Sequence, residues 1–271
     1  MKLSGYILCA LLFPAGSGCT GEHTQTEHPV SPESRPQICA HRGASGYAPE
    51  NSLAALKLAM EMGADMAELD IQQTADDRLV VMHDDAVDRT SNGTGLVWQM
   101  SSDSLRALDN GSWFDKRFSG ERIPTIEEVM SLVRGKMKLN IEVKLHGHER
   151  DIARLVVDTI RKEKFENECI VTSFGHEVAD EIKRLAPELK VGYIFDRKSY
   201  SEAVFASDID VLSSHFWLVD SHFMAKARAA GKEVHVWTVN QKFLMRRMRK
   251  LGVDAIITNY PDRLAEVLAK K

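Results

Sequence analysis

The sequence predicts an α/β fold in which eight β-strands alternate with helices. That number argues for closure as a TIM-type (β/α)8 barrel, with an open doubly wound sheet as the other arrangement. Three observations carry this. The chain has 271 residues, 44% hydrophobic and 27% charged, a globular composition long enough to build a core without disulfide or metal staples. Apolar, β-branched runs recur between helical patterns along almost its whole length. One connection, 84–120, is much longer than the rest and rich in Asn, Asp, Gly and Ser, which marks a small insertion between the second and third barrel strands.

The elements follow in order. Strands are expected at 38–41, 66–71, 138–144, 169–174, 191–195, 211–215, 234–239 and 255–258. A helix over 52–62 carries Leu53, Leu56, Ala59 and Met60 on one face. The run Leu79-Val80-Val81-Met82 reads as a strand extension leading into the insertion, whose small core would be Trp98, Trp113 and Phe114. Pro124-Thr125-Ile126-Glu127-Glu128 opens the next helix, with Thr125 and Glu128 at capping-box spacing. Further helices are expected near 149–164, 176–186, 200–206, 221–230, 242–250 and 262–269.

The N-terminus reads differently. Lys2, the apolar run 6–13 and the small residues 15–18 make a secretory signal over 1–18, too short for a good membrane-spanning helix. Ser17-Gly18-Cys19 resembles the end of a bacterial lipobox, with Gly16 at the place usually taken by Leu. It implies a lipidated Cys19, membrane contact and a place in the bacterial cell envelope or periplasm; plain secretion is the other reading. Residues 19–36, with Pro29, Pro32 and Pro36, form a polar tether ahead of a barrel over 37–271. Four cysteines with no short-spaced pair suggest neither a disulfide framework nor a CxxC zinc site, and Cys39 and Cys169 read as free and buried. A net charge of −4 gives no global basic field, so no nucleic-acid partner is expected.

Four short segments carry chemistry, and all fall at the C-terminal ends of early strands, where barrels place active sites. His41-Arg42-Gly43 offers an imidazole, a planar fork of donors and a close turn. Glu68 and Asp70 are two residues apart in a strand and share a face, either inward, where they need a cation or partners, or on a solvated edge. His83-Asp84 places a second imidazole at the mouth, or else a surface turn. Glu142 and Lys144 again share a face, so Glu68, Asp70 and Glu142 can converge as hard oxygen ligands suited to Mg²⁺ or Ca²⁺. Two imidazoles, a divalent-cation site and two fixed cations are the equipment of phosphoryl chemistry.

Those segments, with Pro49-Glu50-Asn51, Ile123-Pro124-Thr125 and Val236-Trp237-Thr238-Val239-Asn240, resemble the glycerophosphodiester phosphodiesterase family in order and spacing over about residues 38 to 267. The resemblance implies a TIM barrel with an inserted subdomain, and hydrolysis of small glycerophosphodiesters to sn-glycerol 3-phosphate and an alcohol. It implies one divalent cation, Ca²⁺ or Mg²⁺, on Glu68, Asp70 and Glu142. His41 and His83 would be the acid/base pair, in an order left open. Arg42 and Lys144 would hold the phosphate, and Trp237 would line the alcohol side. Asn259 departs from the pattern, standing where many members have Asp. His215-Phe216-Trp217 reads equally as a leaving-group pocket or a core aromatic cluster. Lysophospholipase D and a non-catalytic phosphodiester-binding barrel are the competing readings; the second would be marked by loss of a histidine or carboxylate, and all five are present.

Overall fold

The computed structural model describes Met1 and residues 35–270. The expected signal, Cys9, Cys19 and the tether up to residue 34 lie outside the described residues. Arg35, at the tether's end, clasps Asp65 through both guanidinium nitrogens at 2.6 and 2.7 Å.

Seventeen regular elements follow: β1 (Gln37–His41), α1 (Leu53–Glu61), β2 (Met66–Gln73), β3 (Leu79–Val81), α2 (Ser102–Arg106), α3 (Ile126–Val133), β4 (Lys138–Val143), α4 (Ile152–Glu163), β5 (Cys169–Ser173), α5 (His176–Leu185), β6 (Lys190–Phe195), β7 (Val211–His215), α6 (Ser221–Ala229), β8 (Glu233–Trp237), α7 (Lys242–Leu251), β9 (Ala255–Thr258) and α8 (Pro261–Ala269). Eight strands, all but β3, pair in parallel, and β1 closes the ring by pairing with both β2 and β9. The barrel is closed, so the open sheet is excluded.

Strict alternation along each strand explains the interior. Ile38 and Ala40, Leu69 and Ile71, Leu139 and Ile141, and Val234 and Val236 face outward into the main core beneath the helices. Cys39, Met66, Ile170, Val211, Ala255 and Ile257 face inward and plug the barrel. The same inward register, two or four residues further along, delivers His41, Glu68, Asp70, Asn140 and Glu142 to the open end. β2 lies between β1 and β4, so the solvated-edge reading of its two carboxylates is wrong. Cys39 and Cys169 are buried and free.

Helix ends match their sequence cues. Thr125 and Glu128 form the reciprocal capping box of α3, and Ser52 Oγ accepts the Ala55 N–H at 3.1 Å to cap α1. Three expectations are corrected. The segment near 200–206 is only a 3-10 turn over Glu202–Ala206, in which Val204 is the one buried side chain and Phe205 packs only partly against the core. Leu79–Val81 is a separate strand, antiparallel to the end of β2. The insertion's core is aliphatic: Val80, Met82, Val87, Val97, Leu105 and Ile123 form it, with Met100 and Leu108 against it. Trp113 is exposed and lies edge-on to Phe114. Trp98 stacks on His148 at 4.2 Å between ring centroids and on His146 at 5.9 Å.

Candidate active site

Glu68, Asp70 and Glu142 come together at the mouth, with one oxygen of each within 4.8 Å of the others. Glu68 and Asp70 are only 4% and 1% exposed. Burial, reinforced by the charges of Asp70 and Glu142, holds the Glu68 carboxyl well above its usual range. Burial and the Asp70 charge push Glu142 up to about 7. Three close carboxylates in so dry a place cannot all ionise cheaply. A hard dication removes both penalties, so the donor set fits Mg²⁺ or Ca²⁺.

The turn after β1 is built around this cluster. Arg42 takes a positive φ of 54°, which lets its backbone N–H donate to Glu68 Oε2 at 2.9 Å. Gly43 follows at φ 77°, and a Cβ there would fall 2.7 Å from the Ala55 backbone, so this packing requires glycine. Asn51, also at positive φ, donates through Nδ2 to Asp70 Oδ2 at 2.9 Å and accepts the Asp70 N–H through Oδ1 at 3.3 Å. Arg42 Nη1 donates to Glu50 at 2.8 Å. Its Nε lies 3.2 Å from Asp70 Oδ2 but off line, and remains a buried donor without an acceptor.

The two imidazoles are held through Nδ1 by different partners. His41 lies 2.7 Å from Asn259 Oδ1, a neutral acceptor, and its Nε2 is 3.9 Å from Glu68. Burial, with the Arg42 charge, pushes His41 down to about 4. His83 lies 2.7 Å from Asp84 Oδ1, an anionic one. Its Nε2 is 3.3 Å from Lys144 Nζ, which donates to Glu142 at 2.8 Å. Against burial, Glu142 and Asp70 keep Lys144 firmly cationic.

Arg89, from the insertion, contributes a link that the short motifs did not reveal. It donates to both oxygens of Asp84, and to Glu50 at 2.7 and 3.1 Å. These contacts, with His83's, hold Asp84 down to about 2. Arg89 therefore ties the His83 partner to the Arg42 partner. It lies in a polar connection with no periodicity, so spacing gave no signal for it. Asn51 and Glu50 stood in a quoted motif, and only the structure gives them jobs.

A cavity of about 250 Å³ opens above the carboxylates. It is lined by His41, Arg42, Glu68, His83, Glu142, Lys144 and Trp237, among others, while Asp70 is buried beside Glu68 and Glu142. Trp237 is fixed by donating Nε1–H to the Ser213 carbonyl at 3.1 Å, and meets Phe174 edge-on. The structure thus gathers all eight candidate site residues at one mouth.

A closed α/β barrel with two imidazoles, two cations and a carboxylate triplet at its C-terminal end has the makings of a phosphodiester hydrolase. The sequence profile of the glycerophosphoryl diester phosphodiesterase family matches residues 41–263, and the chain belongs to that family. A glycerophosphodiester phosphodiesterase of Caldanaerobacter subterraneus subsp. tengcongensis is 38% identical over 240 residues, covering 86% of this chain and 98% of its own. The crystal structure of a glycerophosphodiester phosphodiesterase from Agrobacterium tumefaciens is 31% identical with a TM-score of 0.75, covering 85% of this chain and 99% of that one. A phosphodiesterase of Oleispira antarctica, solved with the product sn-glycerol-3-phosphate, is 29% identical with a TM-score of 0.78, covering 87% and 98%.

Proposed function

We propose that the chain hydrolyses glycerophosphodiesters to sn-glycerol 3-phosphate and an alcohol. The observation that carries this is the buried carboxylate triplet lying beneath two oppositely partnered imidazoles in one cavity. Glu68, Asp70 and Glu142 would hold one divalent cation, Ca²⁺ or Mg²⁺. When bound there, it supplies Lewis acidity toward phosphoryl and hydroxyl oxygens.

The chain's own residues do the rest. The amide Oδ1 of Asn259 accepts from His41 Nδ1–H, leaving Nε2 bare toward the cavity. A neutral imidazole whose free Nε2 faces the cavity is placed to accept a proton, so His41 is assigned the base of the first step. It takes the proton from the glycerol hydroxyl next to the phosphate as that oxygen bonds to phosphorus. His83, oriented by Asp84, gives a proton to the leaving alcohol oxygen as its bond to phosphorus breaks. Water then opens the cyclic phosphate with the two roles exchanged. Arg42 and Lys144 balance the phosphate charge, and Trp237 packs on the alcohol side.

One observation favours lysophospholipase D as a second reading. Leu145, Phe174, Trp217 and Phe243 are exposed, and each follows the C-terminal end of a barrel strand or opens the next helix, so the active face has an apolar rim. Product identification settles the choice. Glycerophosphocholine should yield sn-glycerol 3-phosphate faster than lysophosphatidylcholine yields its phosphate, and the reverse ranking would establish the second reading. For location, the proposal is the bacterial cell envelope through a lipidated Cys19. No described helix is long and apolar enough to cross a membrane. Cys19→Ser should move the protein from the membrane to the soluble fraction at unchanged turnover. An unmodified mature N-terminus elsewhere, found by mass spectrometry, would mean plain secretion.

A further inference from the structure

The catalytic cavity does not end at Trp237. Ile194 on β6 and Ser213 on β7 line it; two residues further along stand Asp196, just past the end of β6, and His215, the last residue of β7. Positions i and i+2 share the inward face, and two residues advance the chain by about 7 Å, roughly the reach of a three-carbon alcohol. Asp196 and His215, with Arg197, Lys198 and Trp217, line a second and larger cleft of about 460 Å³. The two spaces share a wall, because the His215 ring stands edge-on to Trp237 at 5.2 Å between centroids.

Most of this cleft's lining surface is apolar, and its charged and polar side chains, Asp196 apart, are donors. Asp196, its single acid, is turned back on its own loop, accepting the N–H groups of Lys198 at 2.8 Å and Ser199 at 3.1 Å, and the Ser199 hydroxyl. Arg197 and Lys198 are exposed, and neither side chain has an ion-pair partner among the described residues. The Trp217 backbone N–H points at His215 Nδ1 from 3.4 Å, which leaves Nε2–H as a donor. Trp217 is 56% exposed and offers a flat apolar face, and the Arg247 guanidinium lies 5.7 Å from its ring centroid. Among the described residues, no hydrogen bond or ion pair of the site in the first cavity uses these groups.

We propose that this cleft is a leaving-group subsite for an alcohol that carries its own anionic group, a phosphorylated polyol in chemical class. Trp217 packs against the carbon skeleton, while Arg197, Lys198 and His215 hold the anion. The inference rests on reading the first cavity as the phosphodiesterase site, and adds which diesters it favours. The reaction is the same hydrolysis: water is consumed, the phosphorus–alcohol bond breaks, and the departing oxygen leaves protonated while its distal anion keeps its charge.

The test measures kcat/KM on three diesters with the intact protein and added divalent cation at low ionic strength. Glycerophosphocholine has a cationic leaving group, glycerophosphoglycerol a neutral one, and bis(glycerophospho)glycerol one that retains a phosphodiester. The wild type should favour the anionic leaving group over the neutral one by about tenfold or more, a preference that falls as salt rises. Arg197→Gln/Lys198→Gln should lose about tenfold on the anionic diester and stay within about twofold on the neutral one. Turnover of all three with no anionic preference, or a preference untouched by the double substitution, overturns the subsite alone. No turnover of any of them overturns the phosphodiesterase reading and the subsite with it.

Discussion

His41 and His83 look alike in the sequence and sit in unlike surroundings. A neutral amide holds one and a carboxylate holds the other, each at 2.7 Å. If they work as one proton relay, His41→Ala and His83→Ala should each lower turnover by about 10²–10⁴-fold. The double variant should be little worse than the worse single one, because parts of one unit are not additive; losses that multiply in steady-state kinetics would show that one imidazole only binds. Arg89 tests the same idea from further out. It touches Asp84 and Glu50 and not the catalytic cavity, so Arg89→Ala should lower kcat about tenfold, by freeing His83, while KM changes little because Arg42 keeps its own bond to Glu50. Unchanged kcat in that variant would make Arg89 a surface ion pair. At this scale the sequence showed which residue types gather and not what orients them. Strand alternation alone put Glu68, Asp70 and Glu142 on one face. The positive-φ turn at Arg42 and the partners of the two imidazoles come from residues distant in sequence, such as Asn259, which no local pattern can pair.

The insertion is the element that links stability to chemistry. Its aliphatic cluster anchors the polypeptide carrying Arg89, and Trp98 from the same segment stacks on the loop after β4 that carries Lys144. Leu105 is fully buried in that cluster. Leu105→Ala should cost about 2–5 kcal/mol of local stability and should lower turnover as Arg89→Ala does. A thermal shift with turnover intact would separate the insertion's packing from the site. Most elements were legible because each barrel strand is a short β-branched run bounded by polar residues, and the capping box of α3 was legible in full. The insertion's core was not. Large aromatic residues drew attention there, yet Trp113 donates Nε1–H to the Asn110 carbonyl at the surface, while small aliphatic residues scattered from Val80 to Ile123 do the packing. Periodicity cannot mark a core built from turns.

For the whole molecule, the cation and the fold are linked through protons. Without a cation, Glu142 titrates near 7 in the folded chain against 4.5 for the free group, and Glu68 is raised as well. Between those values these two carboxyls bind more protons in the folded state than in the unfolded one, so their contribution to stability falls as pH rises from about 4.5 through 7. The depressed His41 works the other way below about 6.5, so the readout is the cation's own effect: Mg²⁺ or Ca²⁺ should raise the melting temperature of the chelated protein more at pH 8, where the triplet is ionised, than at pH 5. A melting temperature independent of cation over that range would mean that the triplet is not a cation site. The most direct measurement is release of sn-glycerol 3-phosphate from glycerophosphoglycerol by the intact protein after exhaustive chelation, after return of a divalent cation, and in Asp70→Asn. We expect no release on chelation, full recovery on return of Mg²⁺ or Ca²⁺, and none from Asp70→Asn with either ion. Undiminished release from protein whose metal content has been measured as nil would contradict the account.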